Sequence, residues 1–342
     1  MNDAFGIDIG YGSIKVVALS KSGEQYSLTT VGETVNKGSD WLKDTSKKSI
    51  ELVAASIKML LSDMKLKLKM ATTSLPEEEV ISRLVRLPPL NENEVKDALL
   101  FEAETFIPFP LDKVSMDYEV VEKDEAGRLT IFAIAAKNEI ITRYTTLFKM
   151  LGIGLSALES PSVAMRRALS MSVAVAGSSM VVDLGEKYSD IIIIHNNNVL
   201  FTRAMSVGGE SLTRAISVNL GLDMASAEEY KKAYGMKEME LEGKIKTALL
   251  PVFSAMAEEI RRAMISYREE WNRPIDLLVL SGGGAHVPGL AEELTKVLGI
   301  EVQVIQPFVK IDTTKLVVPI NLPTEGCRFT LAVGLALRGM IQ

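Results

Sequence analysis

The first third of the chain alternates short apolar runs with polar turns and amphipathic segments. Residues 4–9 and 15–19 are apolar runs on either side of the turn 10–13, which predicts two strands joined through a glycine turn. Residues 49–64 carry apolar side chains at helical spacing, and an asparagine followed by acidic residues opens a second predicted helix over 91–106. Further strands are predicted at 71–75, 80–87, 114–121 and 129–136, and a further helix at 137–151.

The second half of the chain repeats the opening pattern. A strand, a glycine-containing turn, a strand, a turn and a strand follow one another over residues 180–205. The same order occurs about 175 residues earlier, which indicates an internal duplication. Beyond it, helices are predicted at 209–220, 226–234, 241–271, 287–298 and 328–339, and strands at 275–280 and 301–305.

Composition excludes several classes of protein. The 342 residues include 38 Lys and Arg against 44 Asp and Glu, so no basic excess supports nucleic-acid binding. A single cysteine, Cys327, excludes a disulfide framework and a cysteine-rich zinc site, and two histidines leave little for histidine-based metal or acid-base chemistry. No apolar stretch reaches the roughly 18 residues of a membrane span. The N-terminus lacks a secretory signal pattern, so we expect a cytoplasmic location.

Three glycine-containing turns carry the candidate chemistry. In the first, an aspartate ends a strand and the turn exposes backbone N–H groups that can hold phosphate, while the carboxylate can hold hydrated Mg²⁺. The second repeats the Asp-x-Gly start, and the third has three consecutive glycines that let a backbone lie flat against a ligand. Taken singly, each turn can be an ordinary structural one. The residues are Asp8, Gly10, Tyr11, Gly12, Ser13 and Lys15; Asp183, Gly185 and Ser189; and Gly282, Gly283 and Gly284.

The order of these turns on duplicated strand units resembles the actin-like ATPase superfamily, which includes actin, heat-shock chaperone ATPases, sugar kinases and FtsA. Neither a P-loop nor a Rossmann glycine motif is present. The resemblance implies an α/β, ribonuclease H-like duplicated fold with two lobes around a nucleotide cleft. It implies ATP and Mg²⁺ as cofactors, with Asp8 and Asp183 acting on the metal through water.

The same resemblance assigns further site residues. Gly208 and Gly209 begin a helix that would face the terminal phosphate. One helix would hold adenosine through three charged side chains, for which a solvated face with ion pairs is the alternative. Glu159 would orient the attacking water, with a carboxylate at a helix start as the alternative. The three charged residues are Glu258, Arg261 and Arg262.

One stretch is more diagnostic than the nucleotide motifs. Residues 87–90 form a Leu-Pro-Pro-Leu turn, an acidic helix follows, and 104–112 and 114–118 read ETFIPFPLD and VSMDY. This combination closely resembles the PilM family, the cytoplasmic actin-like components of type IV pilus machines, and the resemblance covers nearly the whole chain. It implies a protein that docks the N-terminal tail of a PilN-like inner-membrane protein. Through this docking, the protein would relay its nucleotide state to motor components that drive twitching motility.

The family resemblance also divides the chain into subdomains. Residues 1–75 and 328–342 would form 1A, and 76–157 an FtsA-like 1C. Residues 158–208 and 275–327 would form 2A, with a connecting helix at 159–170, and 209–274 would form 2B.

The PilN-like tail is expected in a groove of subdomain 1C, where an apolar turn could line the groove or be a proline-fixed structural turn. We expect peripheral association with the inner membrane through this partner, with self-association possible and no direct insertion. The groove residues are Ile107, Pro108, Phe109 and Leu111.

Two departures from the family pattern bear on activity. Tyr11-Gly12 and Glu186-Lys187-Tyr188 stand where the family has small or hydroxyl-bearing residues. We therefore expect nucleotide binding with weak or no hydrolysis. The alternatives are an FtsA-like filament former, which would end in an amphipathic membrane helix, and an actin-fold sugar kinase, which would need a catalytic aspartate base.

Overall fold

Two large mixed sheets, one small antiparallel sheet and ten α-helices make up the part of the chain that the computed structural model describes, residues 2–38, 40–44, 46–67, 69–172, 177–238, 240–314 and 320–340. The strands are β1 (Asn2–Ile9), β2 (Ser13–Ser22), β3 (Gln25–Val35), β4 (Met70–Ser74), β5 (Val80–Leu87), β6 (Val114–Lys123), β7 (Leu129–Lys137), β8 (Gly154–Glu159), β9 (Ser178–Leu184), β10 (Ser189–His195), β11 (Asn198–Met205), β12 (Leu277–Ser281), β13 (Val302–Val304) and β14 (Ile311–Asp312). The helices are α1 (Lys47–Asp63), α2 (Glu92–Ala103), α3 (Asn138–Leu151), α4 (Pro161–Ser170), α5 (Gly209–Leu220), α6 (Met224–Tyr234), α7 (Lys244–Trp271), α8 (Leu290–Leu298), α9 (Leu322–Glu325) and α10 (Thr330–Arg338).

The first lobe is built on a six-stranded sheet with the order β14-β3-β2-β1-β4-β8. β1, β2 and β3 form an antiparallel meander, while β4 and β8 join in parallel on the β1 side. Four consecutive residues of β2, 16–19, are buried and point alternately to the two faces, so both faces of the sheet are covered. α1 and α3 pack on one face around Phe5, Ile57 and Tyr144, and α10 packs on the other around Phe329 and Val333.

The second lobe repeats this arrangement. Its sheet has the order β11-β10-β9-β12-β13, with an antiparallel meander of three strands and two parallel strands beside the first. Both meanders also contain a register shift between the second and third strands, at Ala18/Leu19 and at Ile193/Ile194. These shifts lie at the same offset from Asp8 and Asp183. The duplication predicted from the sequence pattern is therefore a duplication of topology.

A small sheet of order β5-β7-β6 is inserted into the first lobe after β4. α2 covers it through Val95 and Leu99, which pack against Val85 and Ile131. β5 and β6 also contact β11 of the second lobe, with Ser82 Oγ 2.5 Å from Thr202 Oγ1. The insertion therefore contacts both lobes.

The structure places two predicted boundaries elsewhere. The predicted 1C boundary at 157 lies inside β8, which pairs with β4 in the large sheet, and α3 packs on the same sheet. Periodicity missed β8, because its GLSALE sequence lacks a long apolar run. The return to the first lobe, predicted at 328, begins earlier, since Phe308 and Ile311 pack with Leu19 and Leu28. Residues 341–342 of predicted 1A lie outside the described residues.

Two helices join the lobes, α4 after β8 and the terminal α10. They cross closely at Gly334, where a Cβ would overlap the backbone of Ala164. Gly6 allows α10 to lie equally close to β1, since a Cβ there would overlap the Ala332 carbonyl oxygen. Within the described ranges, none of the helices has both the length and the apolarity to cross a membrane.

Candidate functional site

A cavity of about 830 Å³ separates the two lobes. Its walls come from the β1–β2 turn, the β9–β10 turn, the first turn of α5, α6 and the glycine loop after β12. Because β1 and β9 occupy equivalent positions in the duplicated lobes, their two turns face each other across it. Most predicted nucleotide residues line this cavity: Asp8, Gly10, Tyr11, Gly12, Ser13, Lys15, Asp183, Gly185, Gly209, Gly282, Gly283 and Gly284.

The β1–β2 turn is held from outside the cavity. Gly10 N donates to the Ser13 carbonyl oxygen at 3.0 Å. Asn36 donates from Nδ2 to the Gly10 carbonyl at 2.8 Å and from its backbone N to the Gly12 carbonyl at 3.0 Å. Asp8 precedes the turn and faces the cavity, where burial raises its pKa and the Lys15 ammonium, 3.6 Å away, opposes that rise. The turn thus presents one carboxylate and one ammonium to the same space.

The β9–β10 turn is anchored to the start of α5. Gly209 N donates to the Gly185 carbonyl at 2.9 Å, and Glu210 N donates to the Glu186 carbonyl at 2.8 Å. Only glycine fits at position 208, because a Cβ there would overlap the Glu186 carbonyl oxygen. Burial raises the pKa of Asp183 to about 6, and a hydrogen bond from Ser281 opposes the rise. The second turn and the helix N-terminus therefore form one rigid wall.

Gly208 and Ser189 do not line the cavity, although both were predicted to contact nucleotide. Ser189 is fully buried, and its Oγ donates to the Val207 carbonyl at 2.6 Å. Their role in the structure is to pack and tie the second turn.

The three consecutive glycines have different roles. Gly282 has φ of +80°, and a Cβ there would lie 2.6 Å from the Leu184 carbonyl oxygen. Gly284 is equally tight, since its Cβ would lie 2.7 Å from Cβ of Leu184. Gly283 has no atom within 4 Å of a built Cβ and faces the open cavity. Gly283 is therefore the glycine of this loop with open space beside it, while its neighbours pack the loop on β9.

The predicted adenosine helix lies apart from the cavity in the structure. Glu258, Arg261 and Arg262 are absent from the cavity wall. Arg261 pairs with Glu258 at 2.6 Å and donates to the Val297 carbonyl of α8 at 3.0 Å, and Arg262 pairs with Glu259. In the structure, this segment is a helix face with ion pairs, as the alternative interpretation predicted.

A second segment with the same spacing does line the cavity. Glu228, Lys231 and Lys232 of α6 form an E-x-x-K-K pattern, and all three face it. Lys231 is buried and donates to the Gly209 carbonyl at 3.0 Å and to Thr213 Oγ1 at 2.9 Å. The pattern was present in the sequence, but only the packing of α6 on α5 distinguishes it from the segment in α7.

Glu159 lies outside the cavity as well. It ends β8 rather than starting a helix, and its carboxylate pairs with Arg167, whose Nε donates to the Gly334 carbonyl at 3.0 Å. Burial raises its pKa and Arg167 opposes the rise. Pro161 at the start of α4 lines the cavity instead. This segment therefore presents no carboxylate to the described wall of the cleft, where the predicted catalytic role would place one.

Two glutamates that the sequence reasoning missed line the cavity after β4. Glu77 is buried, Thr202 and the Ser162 backbone lie beside its carboxyl group, and Oε2 has no hydrogen-bond partner among the described residues. Glu78 accepts from the Tyr11 hydroxyl. Their only sequence signal was an acidic run after a proline, which usually marks a solvated turn.

Side chains of the two lobes meet across the mouth of the cavity. Tyr11 and Tyr188 lie with ring centroids 5.3 Å apart, and Lys187 Nζ pairs with Asp40 at 2.8 Å. Lys43 donates to the Tyr188 hydroxyl at 3.2 Å. We call these five side chains the cleft bridge.

The apolar turn predicted for the partner groove is mostly structural. Ile107 is buried against Ala103, Val114 and Ala135. Pro108 is exposed, Leu111 is half-buried, and Phe109 is 37% exposed beneath the Lys137 ammonium. The structure therefore leaves Phe109 as the main apolar side chain of this turn that a partner could reach.

The carboxylates fit a metal held through water. In the described part of the chain, no three His, Cys, Asp or Glu side chains converge on a direct metal site. Asp8 and Asp183 reach the cavity from opposite turns, which suits a hydrated Mg²⁺ that also contacts phosphate oxygens.

Comparisons with known proteins agree with this architecture. A family model described as "Type IV pilus assembly protein PilM" matches residues 6–340. The solved PilM-PilN type IV pilus biogenesis complex is 25% identical, has a TM-score of 0.86 and covers 99% of both chains. Cell division protein FtsA of Streptococcus pneumoniae serotype 2 (strain D39 / NCTC 7466) is 24% identical over 356 residues, 88% of this chain and 75% of the relative.

A more distant match extends the comparison. MreB5 of Spiroplasma citri bound to AMPPNP is 11% identical, has a TM-score of 0.53 and covers 98% of this chain and 95% of that chain. Together these matches confirm the predicted actin-like fold.

Proposed function

Because the chain belongs to the PilM family of type IV pilus assembly proteins, we propose that it binds a magnesium nucleotide between its lobes and docks the tail of a PilN-like membrane protein. The observation that carries the first half is the pair of equivalent turns, with Asp8 and Asp183, facing each other across a cavity of about 830 Å³. A solved complex of PilM with PilN, similar over 99% of both chains, supports the second half.

Each wall of the cleft has a role in nucleotide binding. The N–H groups of the two turns and the N-terminus of α5 would hold the phosphates, with the Lys15 ammonium beside them. Gly283 would lie against the nucleoside, and α6 would contribute Lys232. AMPPNP bound to the similarly folded MreB5 supports a nucleotide in a cleft of this kind.

Mg²⁺ would be held by Asp8 and Asp183 through water molecules, and it would neutralise phosphate charge when bound. Burial raises the pKa of both carboxyl groups. Binding of the cation would oppose that rise, because it favours the ionised carboxylates.

We expect hydrolysis to be slow. The start of α4 presents Pro161 to the cleft, and Glu159 is turned away to Arg167. A water molecule beside the outermost phosphate would have no base from this segment to orient it. Nucleotide would then act mainly by shifting the population of cleft conformations that a partner distinguishes.

The PilN-like partner would link this chain to the membrane. We place the docking of the PilN-like tail on the inserted small sheet and α2, with Phe109 on its accessible surface. Because that insertion contacts β11 of the second lobe, movement between the lobes would alter it. This is the route by which nucleotide state would be relayed to a pilus motor.

Calorimetric titration tests both halves of the proposal. MgATP and a synthetic peptide of a PilN-like N-terminal tail are each titrated into the full chain, alone and in the presence of the other. We expect both to bind, and each to change the affinity of the other by the same factor. Failure of the peptide to bind under either condition would refute the docking role.

A separate variant tests the proposed Mg²⁺ site. Asp8→Ala should weaken MgATP binding at least about tenfold, because it removes one of the two carboxylates facing the cation. Asp63→Ala, at the exposed end of α1, removes the same side chain far from the cleft and should bind like the natural protein. Full MgATP affinity in Asp8→Ala would count against the site.

A further inference from the structure

The Glu186 carboxylate occupies the space between the two phosphate-facing turns. It lies on the Cα of Gly12 in the opposite lobe, so that a Cβ built on Gly12 would overlap Oε2 and lie 3.0 Å from Oε1. Within the described ranges, the Glu186 side chain makes no hydrogen bond or ion pair. The carboxylate is therefore an unpaired anionic group on the inner face of the first turn.

The backbone around Glu186 is fixed. Its carbonyl accepts from Glu210 N at 2.8 Å, and it lies against Gly208. The next two residues, Lys187 and Tyr188, join the cleft bridge to Asp40, Lys43 and Tyr11. The carboxylate can leave the space over Gly12 by rotating its side chain, but the turn that carries it is tied on both sides.

In the proposed binding mode, this carboxylate would lie at the far end of the nucleotide. The second turn runs from Leu184, which touches Gly282 and Gly284, outward to Glu186, which touches Gly12. A nucleoside lying against Gly283 would direct its phosphates along this turn. With each added phosphate, the end of the chain comes closer to the carboxylate.

We propose that Glu186 determines specificity for the number of phosphates, lowering the affinity of the cleft for nucleoside triphosphates relative to diphosphates. A terminal phosphate needs the space that the carboxylate holds, and the two anions repel at short range. A diphosphate ends before that space and leaves Glu186 in place. The inference rests on the proposed function, since it presupposes nucleotide in this cleft.

Isothermal titration of MgADP and MgATP into the full chain and into Glu186→Gln tests the proposal. Glutamine keeps the size of the side chain and removes its charge. We expect the ratio of ATP affinity to ADP affinity to rise about tenfold or more in Glu186→Gln, through tighter ATP binding with little change for ADP. Glu186→Asp keeps the charge but draws it back by one methylene. Its ratio of ATP affinity to ADP affinity should therefore lie between those of the natural protein and Glu186→Gln.

The control is Glu210→Gln, which removes a carboxylate from the same cavity that pairs with Arg214 and does not touch Gly12. It should change both affinities by similar factors and the ratio by less than about threefold. An unchanged or lowered ratio in Glu186→Gln overturns the proposal, the lowered one indicating that the carboxylate helps to hold Mg²⁺. An equal rise of the affinity ratio in Glu210→Gln also overturns the proposal, because it would show that any negative charge in the cavity lowers ATP affinity. Absence of ADP binding by every variant, including the natural protein, refutes the proposed function itself and this inference with it.

Discussion

Glu77 is a buried carboxyl group on the wall of the cleft, and its ionisation opposes folding. Burial raises its pKa to about 7, above the ordinary value of 4.5, and hydrogen bonds from Thr202 and the Ser162 backbone offset only part of that rise. The folded protein keeps this proton while the unfolded chain releases it, so stability is lost as the pH rises from about 4.5 to about 7. Glu77→Gln should therefore raise the free energy of unfolding by up to about 3 kcal/mol at pH 8. Urea denaturation at pH 8 and pH 4.5 checks this, and an equal effect at both values would contradict it.

At the scale of single residues, the sequence predicts the residues whose positions local turns determine. It misses the residues whose positions depend on tertiary packing. Asp8 and Asp183 could be predicted, because each follows a short apolar run and precedes a glycine turn. Glu77 could not, since its acidic run is that of a solvated turn until β11 and α4 bury it. The surroundings of Glu159 could not be predicted, because its contact with Arg167, eight residues on, is a property of the β8–α4 corner rather than of spacing along a helix.

The glycine loop after β12 gives a prediction at the scale of one element. Gly283→Ala places a methyl group in open cavity, so stability should stay within about 0.5 kcal/mol of the natural protein while ADP affinity falls severalfold. Gly282→Ala should instead destabilise by about 1 kcal/mol or more, because φ is +80° and the Leu184 carbonyl lies in the way. Thermal unfolding and ADP titration of the matched pair separate the two roles. Equal loss of stability in both variants would show that the loop is structural throughout.

Helices with a clear apolar period were predicted well, and elements defined by pairing were not. The predicted helix at 209–220 has the bounds of α5, since an apolar stripe and glycines at both ends define it locally. β8 and β14 were missed because a short strand is defined by its neighbour, β4 in one case and β3 in the other. The E-x-x-basic-basic pattern occurs in both α6 and α7, and only helix packing decides which one faces the cleft.

For the whole molecule, the duplicated pattern predicted two lobes and a cleft, but not how the lobes are held together. The cleft bridge uses side chains from residues far apart in sequence, such as Asp40 and Lys187, and an exposed charge pair of this kind contributes little by itself. The ring contact between Tyr11 and Tyr188 adds buried aromatic area at the same place. The bridge therefore holds the mouth of the cleft closed through several weak contacts, which suits a gate that opens and closes.

The cleft bridge should control how fast nucleotide leaves. Tyr188→Ala removes the ring contact with Tyr11 and the acceptor for Lys43, so the open arrangement becomes more populated. If release requires opening, the dissociation rate of a fluorescent ADP analogue, chased with excess ADP in a stopped-flow experiment, should rise about fivefold to tenfold, as expected for a loss of about 1–1.4 kcal/mol. Tyr26→Ala is the matched control, because that ring also lies beneath a lysine, Lys21, but on a surface strand away from the cleft. The same acceleration in both variants would mean that general loosening of the first lobe, and not opening of the bridge, limits release.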